Sequence, residues 1–288
     1  MQTNLYRGAA VLLLAEIFMV ISGMIIRQIE LPTAMIVFLR SLFGLSLLLP
    51  WLARNGSQAI KTDKLRFHLI RGGLGIVAMT CLYYTFIELP LAQATLLKQT
   101  APFFMPFIGF WWLGERIGKA VCVAVVFGFI GVYLILNPGE GAINLAVLAG
   151  LAGAILGSVA KVTIRRMSDT EPARRIVFYL VLFGSLFSCL PAIWYWQNPT
   201  ITQWLMLFAL GATATTAQLC VSKAYGLAPA GQLGPFTYGS VVFAAVAGWW
   251  VWDEMLSLQA WLGVLIVCVA GALTMLTRQQ SASGVKAS

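Results

Sequence analysis

Charge is what this sequence has least of. Only 10% of its 288 residues are Asp, Glu, Lys or Arg, against about 25% in a soluble globular domain. That is too little polar surface to cover a water-soluble fold. Histidine is limited to His68, expected at a helix entrance as a solvated polar residue. The five cysteines, Cys81, Cys122, Cys189, Cys220 and Cys268, form no C-x-x-C pair and no His/Cys ligand set. They read as small packing residues, and neither a metal nor another cofactor is expected. H-E-x-x-H, G-x-S-x-G and Asp-rich metal motifs are missing, as is a P-loop. An intramembrane enzyme and an ATP-driven pump are thus left without a motif, and a receptor or scaffold subunit has no specific support. The ten-residue alternation of an outer-membrane barrel is also lacking.

What the chain does have is apolar length. Hydrophobic residues make up 60% of it, and the charges fall between runs near the ~20 residues that cross a bilayer as helix. Ten spans are read at about 6–27, 33–53, 68–88, 91–113, 117–136, 143–164, 175–196, 202–224, 230–252 and 257–276. The fold class is therefore an all-α integral membrane protein with ten transmembrane helices. The net charge of +9 could suggest nucleic acid, but its distribution excludes that partner. Arg7, Arg54, Lys61, Lys64, Arg66, Arg71, Arg116, Lys119, Arg165, Arg166, Arg174, Arg175 and Arg278 fall on one side of the spans. Between spans on the other side there is only Arg27. Cytoplasmic loops carry the excess of Lys and Arg, so both termini are expected inside, in a multi-pass protein of the inner (cytoplasmic) membrane whose surface meets lipid. The first apolar run is expected to stay as a membrane anchor and not be cleaved as a signal peptide, because Glu16 interrupts its core and no small-residue cleavage site follows.

Ionisable residues inside spans are costly and usually face a bundle interior or cavity. Glu16 lies almost at the midpoint of span 1. Arg40 lies in IVFLRSLFGL of span 2, too deep to snorkel comfortably, and Glu16 is its nearest partner by depth. Either the two form a structural pair, or Glu16 meets a substrate or coupling proton. Tyr83 and Tyr84 close span 3, as interfacial belt residues or facing a cavity. Span 4, ATLLKQTAPFFMPFIGFWWLGERI, carries Lys98 and Gln99 and then Pro102 and Pro106. Lys98, Pro102 and Pro106 follow at i, i+4 and i+8, near one helical face. Neither proline can donate to the carbonyl four residues back, and freed carbonyls in a membrane need a neighbour, water or a ligand. Lys98 beside them is a candidate ligand contact, the alternative being a packing kink with a snorkelling lysine. Gly153 and Gly157 in span 6 form G-x-x-x-G, which permits close helix approach. Span 8 places Thr215, Gln218 and Ser222 on one face, towards protein or water. Span 9 offers Gln232, Thr237 and Tyr238, with Pro235 freeing the carbonyl of Gly231.

The chain repeats itself. At an offset of 139 residues Pro90 meets Pro229, Gln93 meets Gln232, Trp111 meets Trp250, Glu115 meets Glu254 and Arg27 meets Arg166. Five spans per half make the second half enter the membrane upside down. The halves are 1–139 and 140–278, with 279–288 a disordered cytoplasmic tail. Inverted repeats with broken helices near the midplane are the architecture of alternating-access carriers, with Pro102, Pro106 and Pro235 as the helix-breaking, gating positions.

The segments LPLAQATLLKQTAPFFMPFIGFWWLGERI and LAPAGQLGPFTYGSVVFAAVAGWWVWDE resemble the paired signature of the drug/metabolite transporter superfamily, in its ten-helix EamA-type branch. The resemblance implies a central cavity lined by helices 1–4 and 6–9, with helices 5 and 10 peripheral. Glu16 and Lys98 are not general features of that family and mark a subgroup. The expected activity is secondary transport of a small polar metabolite, an amino acid or related carboxylate or zwitterion, by a monomer or homodimer. Arg40 and Lys98 would meet an anionic group, and Glu16 a cationic group or the coupling proton. Efflux of amphipathic cationic drugs is the alternative.

Overall fold

The computed structural model describes residues 5–113, 119–136, 145–167, 170–227, 234–255, 257–266 and 268–270. Every regular element among them is helical. In order these are α1 (Leu5–Gln28), α2 (Thr33–Asn55), a short 3-10 turn (Ser57–Ile60), α3 (Leu65–Glu88), α4 (Leu91–Lys98), α5 (Ala101–Leu113), α6 (Lys119–Leu136), α7 (Leu145–Met167), α8 (Ala173–Trp194), α9 (Ile201–Leu227), a second 3-10 turn (Gly234–Tyr238) and α10 (Gly239–Trp252). A last helical stretch covers 258–266 and 268–270.

Proline sets where several helices start. Pro32, Pro90 and Pro172 stand immediately before α2, α4 and α8. Each has a φ suited to helix entry and supplies the first carbonyl, for example Pro172 to Arg175 and Ile176 at 3.0 and 3.2 Å. α2 stops at Gly56, whose φ of 65° glycine adopts without strain and whose N–H donates to Leu52 at 2.8 Å.

Five of the described helices, α1, α2, α3, α8 and α9, are long and apolar enough to cross a membrane by length and composition. Their bounds follow the sequence-derived spans to within a few residues. Spans 4 and 9 differ, and for the reason the prolines gave. Span 4 is split into α4 and α5 at Gln99–Thr100, and span 9 runs through a 3-10 turn before α10 begins. Pro102 and Pro106 fall inside α5 and Pro235 inside the second 3-10 turn.

The helices form one bundle. α3 packs on α7 and α8, α1 on α9 and α10, α2 on α8 and α9, and α4 on α10. Close approach depends on small residues where helices cross. A Cβ on Gly153 would lie 2.9 Å from the side chain of Leu82 and 3.1 Å from the carbonyl of Ala78. A Cβ on Gly150 would lie 2.9 Å from Leu97 of α4 and 3.2 Å from Thr85 of α3. Gly157, the second glycine of the predicted pair, faces open space. The α3–α7 contact is therefore made by Gly150 and Gly153, one turn apart, and not by the G-x-x-x-G pair.

The exterior is apolar. Trp111, Leu190, Trp194 and Trp250 are each at least 79% exposed, a surface far beyond what a soluble monomer presents to water. The aromatic cluster at the end of α8, Trp194 to Trp196, faces outward, as expected of a membrane–water interface.

Candidate functional site

Two helix breaks meet inside the bundle. At the first, Lys98 ends α4 and Gln99 and Thr100 form the turn into α5. Gln99 is buried, and its amide donates to the carbonyl of Thr237 and, at 2.8 Å, to Ser240 Oγ. Both acceptors belong to the second break, in the 3-10 turn and the first turn of α10. The carbonyl of Ala101, just past the first break, accepts from Ser158 Oγ of α7 at 2.7 Å. A broken helix in a membrane needs such donors, because no water is there to supply them.

Lys98 lies beside this junction. As the last residue of α4 its charge complements the helix C-terminus. Its Nζ lies 3.8 Å from Glu16 Oε2 of α1 and donates to Met19 Sδ at 3.0 Å. Glu16 is buried, and its Oε2 has no hydrogen-bond partner. The pair is loose: the ions are in contact range, but neither saturates the other.

The Glu16–Arg40 pairing allowed by depth is not what forms, because Glu16 faces Lys98. Arg40 is 3% exposed, donates from Nη1 to Met79 Sδ at 3.3 Å, and leaves Nε without a partner. Thioether sulfur is a weak acceptor. Tyr83 is buried in the core, and Tyr84 packs against the same core. Tyr83 is thus covered by protein, while Tyr84 is half-buried.

On α9, Ser22 Oγ and Thr213 Oγ1 bond at 2.9 Å, joining α1 to α9. Thr215 is buried with its hydroxyl unpartnered, and Gln218 and Ser222 are half-buried. The polar stripe thus faces protein. Tyr238 is buried with an unpartnered hydroxyl. Gln232 lies outside the described residues, as do Glu115 and the boundary between the halves at Asn137 to Gly139. The side chains of Pro102, Pro106, Pro235 and Arg166 are likewise outside them.

Two features went unread in the sequence. Arg71 was counted among surface charges but is 5% exposed. Its Nη1 donates to the carbonyl of Ile176 at 3.3 Å, and its Nε is unpartnered. His68, expected in solvent, is buried 3.4 Å from Glu171, with its ring stacked on Tyr179. Glu171 also accepts from Thr62 Oγ1 at 2.7 Å and Arg175 at 3.2 Å. Burial alone would push the Glu171 carboxyl up, but Thr62, Arg175 and His68 together hold it below the usual carboxylate range. At the other end of the bundle Glu254 pairs with Arg27 and accepts from the Leu91 N–H at 3.0 Å, and Arg27 lies over the Trp252 ring. This knot ties the ends of α1, α4 and α10.

The sequence profile of the EamA-like transporter family matches the chain twice, over residues 6–137 and 144–277. The chain belongs to the EamA-like transporter family. As a member it is a multi-pass membrane transporter of the drug/metabolite transporter superfamily. It is 29% identical to the riboflavin transporter of Vibrio cholerae over 248 residues, 85% of this chain and 83% of that one. It is also 29% identical to the pseudopaline exporter of Pseudomonas aeruginosa, over 83% of this chain and 86% of that one. With the S-adenosylmethionine uptake transporter of Rickettsia bellii the identity is 25%, over 82% and 81% of the two chains. A solved crystal structure, 18% identical, shares the fold with a TM-score of 0.62 over 96% of this chain and 97% of that one. These relatives are named for the movement of small metabolites, and the family and relatives are named as transporters and not as enzymes.

Proposed function

We propose that the chain is a secondary carrier of a small polar metabolite, an amino acid or related carboxylate or zwitterion, working by alternating access in the inner membrane. The observation that carries this is the loose Glu16–Lys98 pair beside two mutually bonded helix breaks. A substrate with an ammonium and a carboxylate can replace that pair charge for charge, its ammonium on Glu16 and its carboxylate on Lys98. Glu16 is then also the group at which a coupling proton acts. Gln99, Thr237 and Tyr238 complete the pocket from the breaks, Tyr83 and Tyr84 from α3, Gln218 from α9 and Gln232 from span 9.

The ten-span reading, as two inverted halves with both termini inside, is supported by the double family match and by the pairing of broken spans 4 and 9. In that cycle the Arg27–Glu254–Leu91 knot holds the outer end shut and parts when the carrier opens outward. Relatives named for riboflavin, pseudopaline and S-adenosylmethionine support a metabolite over an inorganic ion. Efflux of amphipathic cations finds less support, because Glu16, the mid-span carboxylate such a cation needs, already faces Lys98. Counterflow of radiolabelled metabolites in proteoliposomes, with and without a pH gradient, tests the reading. Replacing Lys98 with Ala abolishes exchange if it holds, and leaves cation efflux unchanged or improved if the alternative does.

A further inference from the structure

Resting on that reading, we infer that Arg40 and Arg71 form a two-station binding site for an oxyanion of the transported metabolite, so that the substrate carries a carboxylate. Both guanidinium groups are more than nine-tenths buried, and both leave Nε without a partner. Neither makes an ion pair among the described residues, whose acid–base pairs are Arg27–Glu254, His68–Glu171, Lys98–Glu16 and Arg175–Glu171. What each does contact is weak compensation: a thioether for Arg40 and one backbone carbonyl at 3.3 Å for Arg71. A buried cation without a counter-charge is costly, and in membrane segments such residues mark substrate or ion pathways.

Their placement suits passage. α2 and α3 are consecutive, contacting helices of opposite direction. Arg40 lies seven residues in from Thr33 and Arg71 six residues in from Leu65, so each sits ~10 Å from an opposite end of the seam at 1.5 Å per residue. One turn beyond Arg40 on the same face, Gly44 lets α9 approach so closely that a Cβ there would lie 2.6 Å from Thr215 Oγ1. The Thr215 hydroxyl is itself buried and unpartnered. Two guanidinium groups without a counter-charge, one on α2 and one on α3, and the unpartnered Thr215 hydroxyl of α9 against α2 make successive resting points for a planar oxyanion, which a guanidinium binds through two parallel hydrogen bonds.

The test uses the purified full chain in detergent micelles. Its unfolding temperature is followed while acetate, succinate, glutamate or inorganic phosphate is added at constant ionic strength, with chloride and succinamide as controls. The wild-type protein is stabilised saturably by a carboxylate and not by succinamide. Arg71→Gln and Arg40→Gln each weaken that carboxylate by ~10-fold or more, the loss expected for hydrogen bonds to a charged group. Without anion, neither variant unfolds below wild type, because an uncompensated buried charge has been removed. Arg71→Lys, which keeps the charge, folds as wild type and retains part of the effect. The inference is overturned if no carboxylate stabilises saturably, or if phosphate alone does. It is equally overturned if Arg71→Gln lowers the unfolding temperature without anion while leaving the carboxylate shift intact, the signature of a merely structural arginine. The two readings separate cleanly. Carboxylate binding through both arginines without counterflow sinks the carrier and keeps the site. Intact metabolite counterflow in both glutamine variants sinks the site and keeps the carrier.

Discussion

Lys98 and Glu16 show how much of the chemistry a single residue can announce. Both were legible as mid-span charges, because a bilayer penalises them wherever they fall. Their pairing was not legible: depth matched Glu16 to Arg40, whereas the folded protein brings Lys98 Nζ to 3.8 Å from Glu16. Arg71 was misread for a different reason. It opens a span, where an arginine ordinarily reports topology, and only the packing of α8 on Gly72 turns it inward: a Cβ on Gly72 would lie 2.7 Å from Phe183. His68 was buried by the same approach of α8, through Tyr179. At this scale the account expects Lys98→Met to destabilise the protein by roughly 1–3 kcal/mol, because Glu16 is left buried and unpaired. Adding Glu16→Gln restores most of that stability without restoring transport. A double-mutant cycle on unfolding free energy and counterflow checks both halves of the statement.

At the scale of the element, the breaks fall in the two proline-bearing spans, at Gln99–Thr100 just before Pro102 and in the 3-10 turn that contains Pro235, and the helix contacts were legible only in part. Pro102 and Pro235 forecast where spans 4 and 9 could not stay regular. Nothing in the local pattern said that Gln99 would bridge the two breaks, because its acceptors, Thr237 and Ser240, lie 138 and 141 residues away. Glycine spacing was a poor guide for α7. Gly153 touches α3 and Gly157 touches nothing, a difference set by the rotation of α7, which the motif does not encode. Gly153→Leu is therefore expected to cost ~1–3 kcal/mol or more through overpacking against Ala78 and Leu82. Gly157→Leu should leave the unfolding temperature within about a degree of wild type. Thermal unfolding of the two variants side by side separates these outcomes.

For the whole molecule, the membrane class was legible from composition, five long apolar helices from hydrophobic length and the family resemblance from paired segments. The clusters that fasten its ends were not, since Thr62, His68, Glu171 and Arg175 are brought together only by tertiary packing. Glu171 gives that fastening a pH dependence whose sign is fixed. Its carboxyl is held below its ordinary value of 4.5 in the folded protein. Its contribution is therefore complete above that value and is lost as pH falls through the lower folded one. Unfolding temperature should drop as acid is added below about pH 4.5, and Glu171→Gln should flatten that part of the profile. The most direct measurement of the central claim remains counterflow in proteoliposomes across a panel of labelled carboxylates and zwitterions. The account predicts saturable exchange of at least one of them, abolished by Lys98→Ala. Saturable exchange that survives Lys98→Ala, or none across the panel, would contradict it.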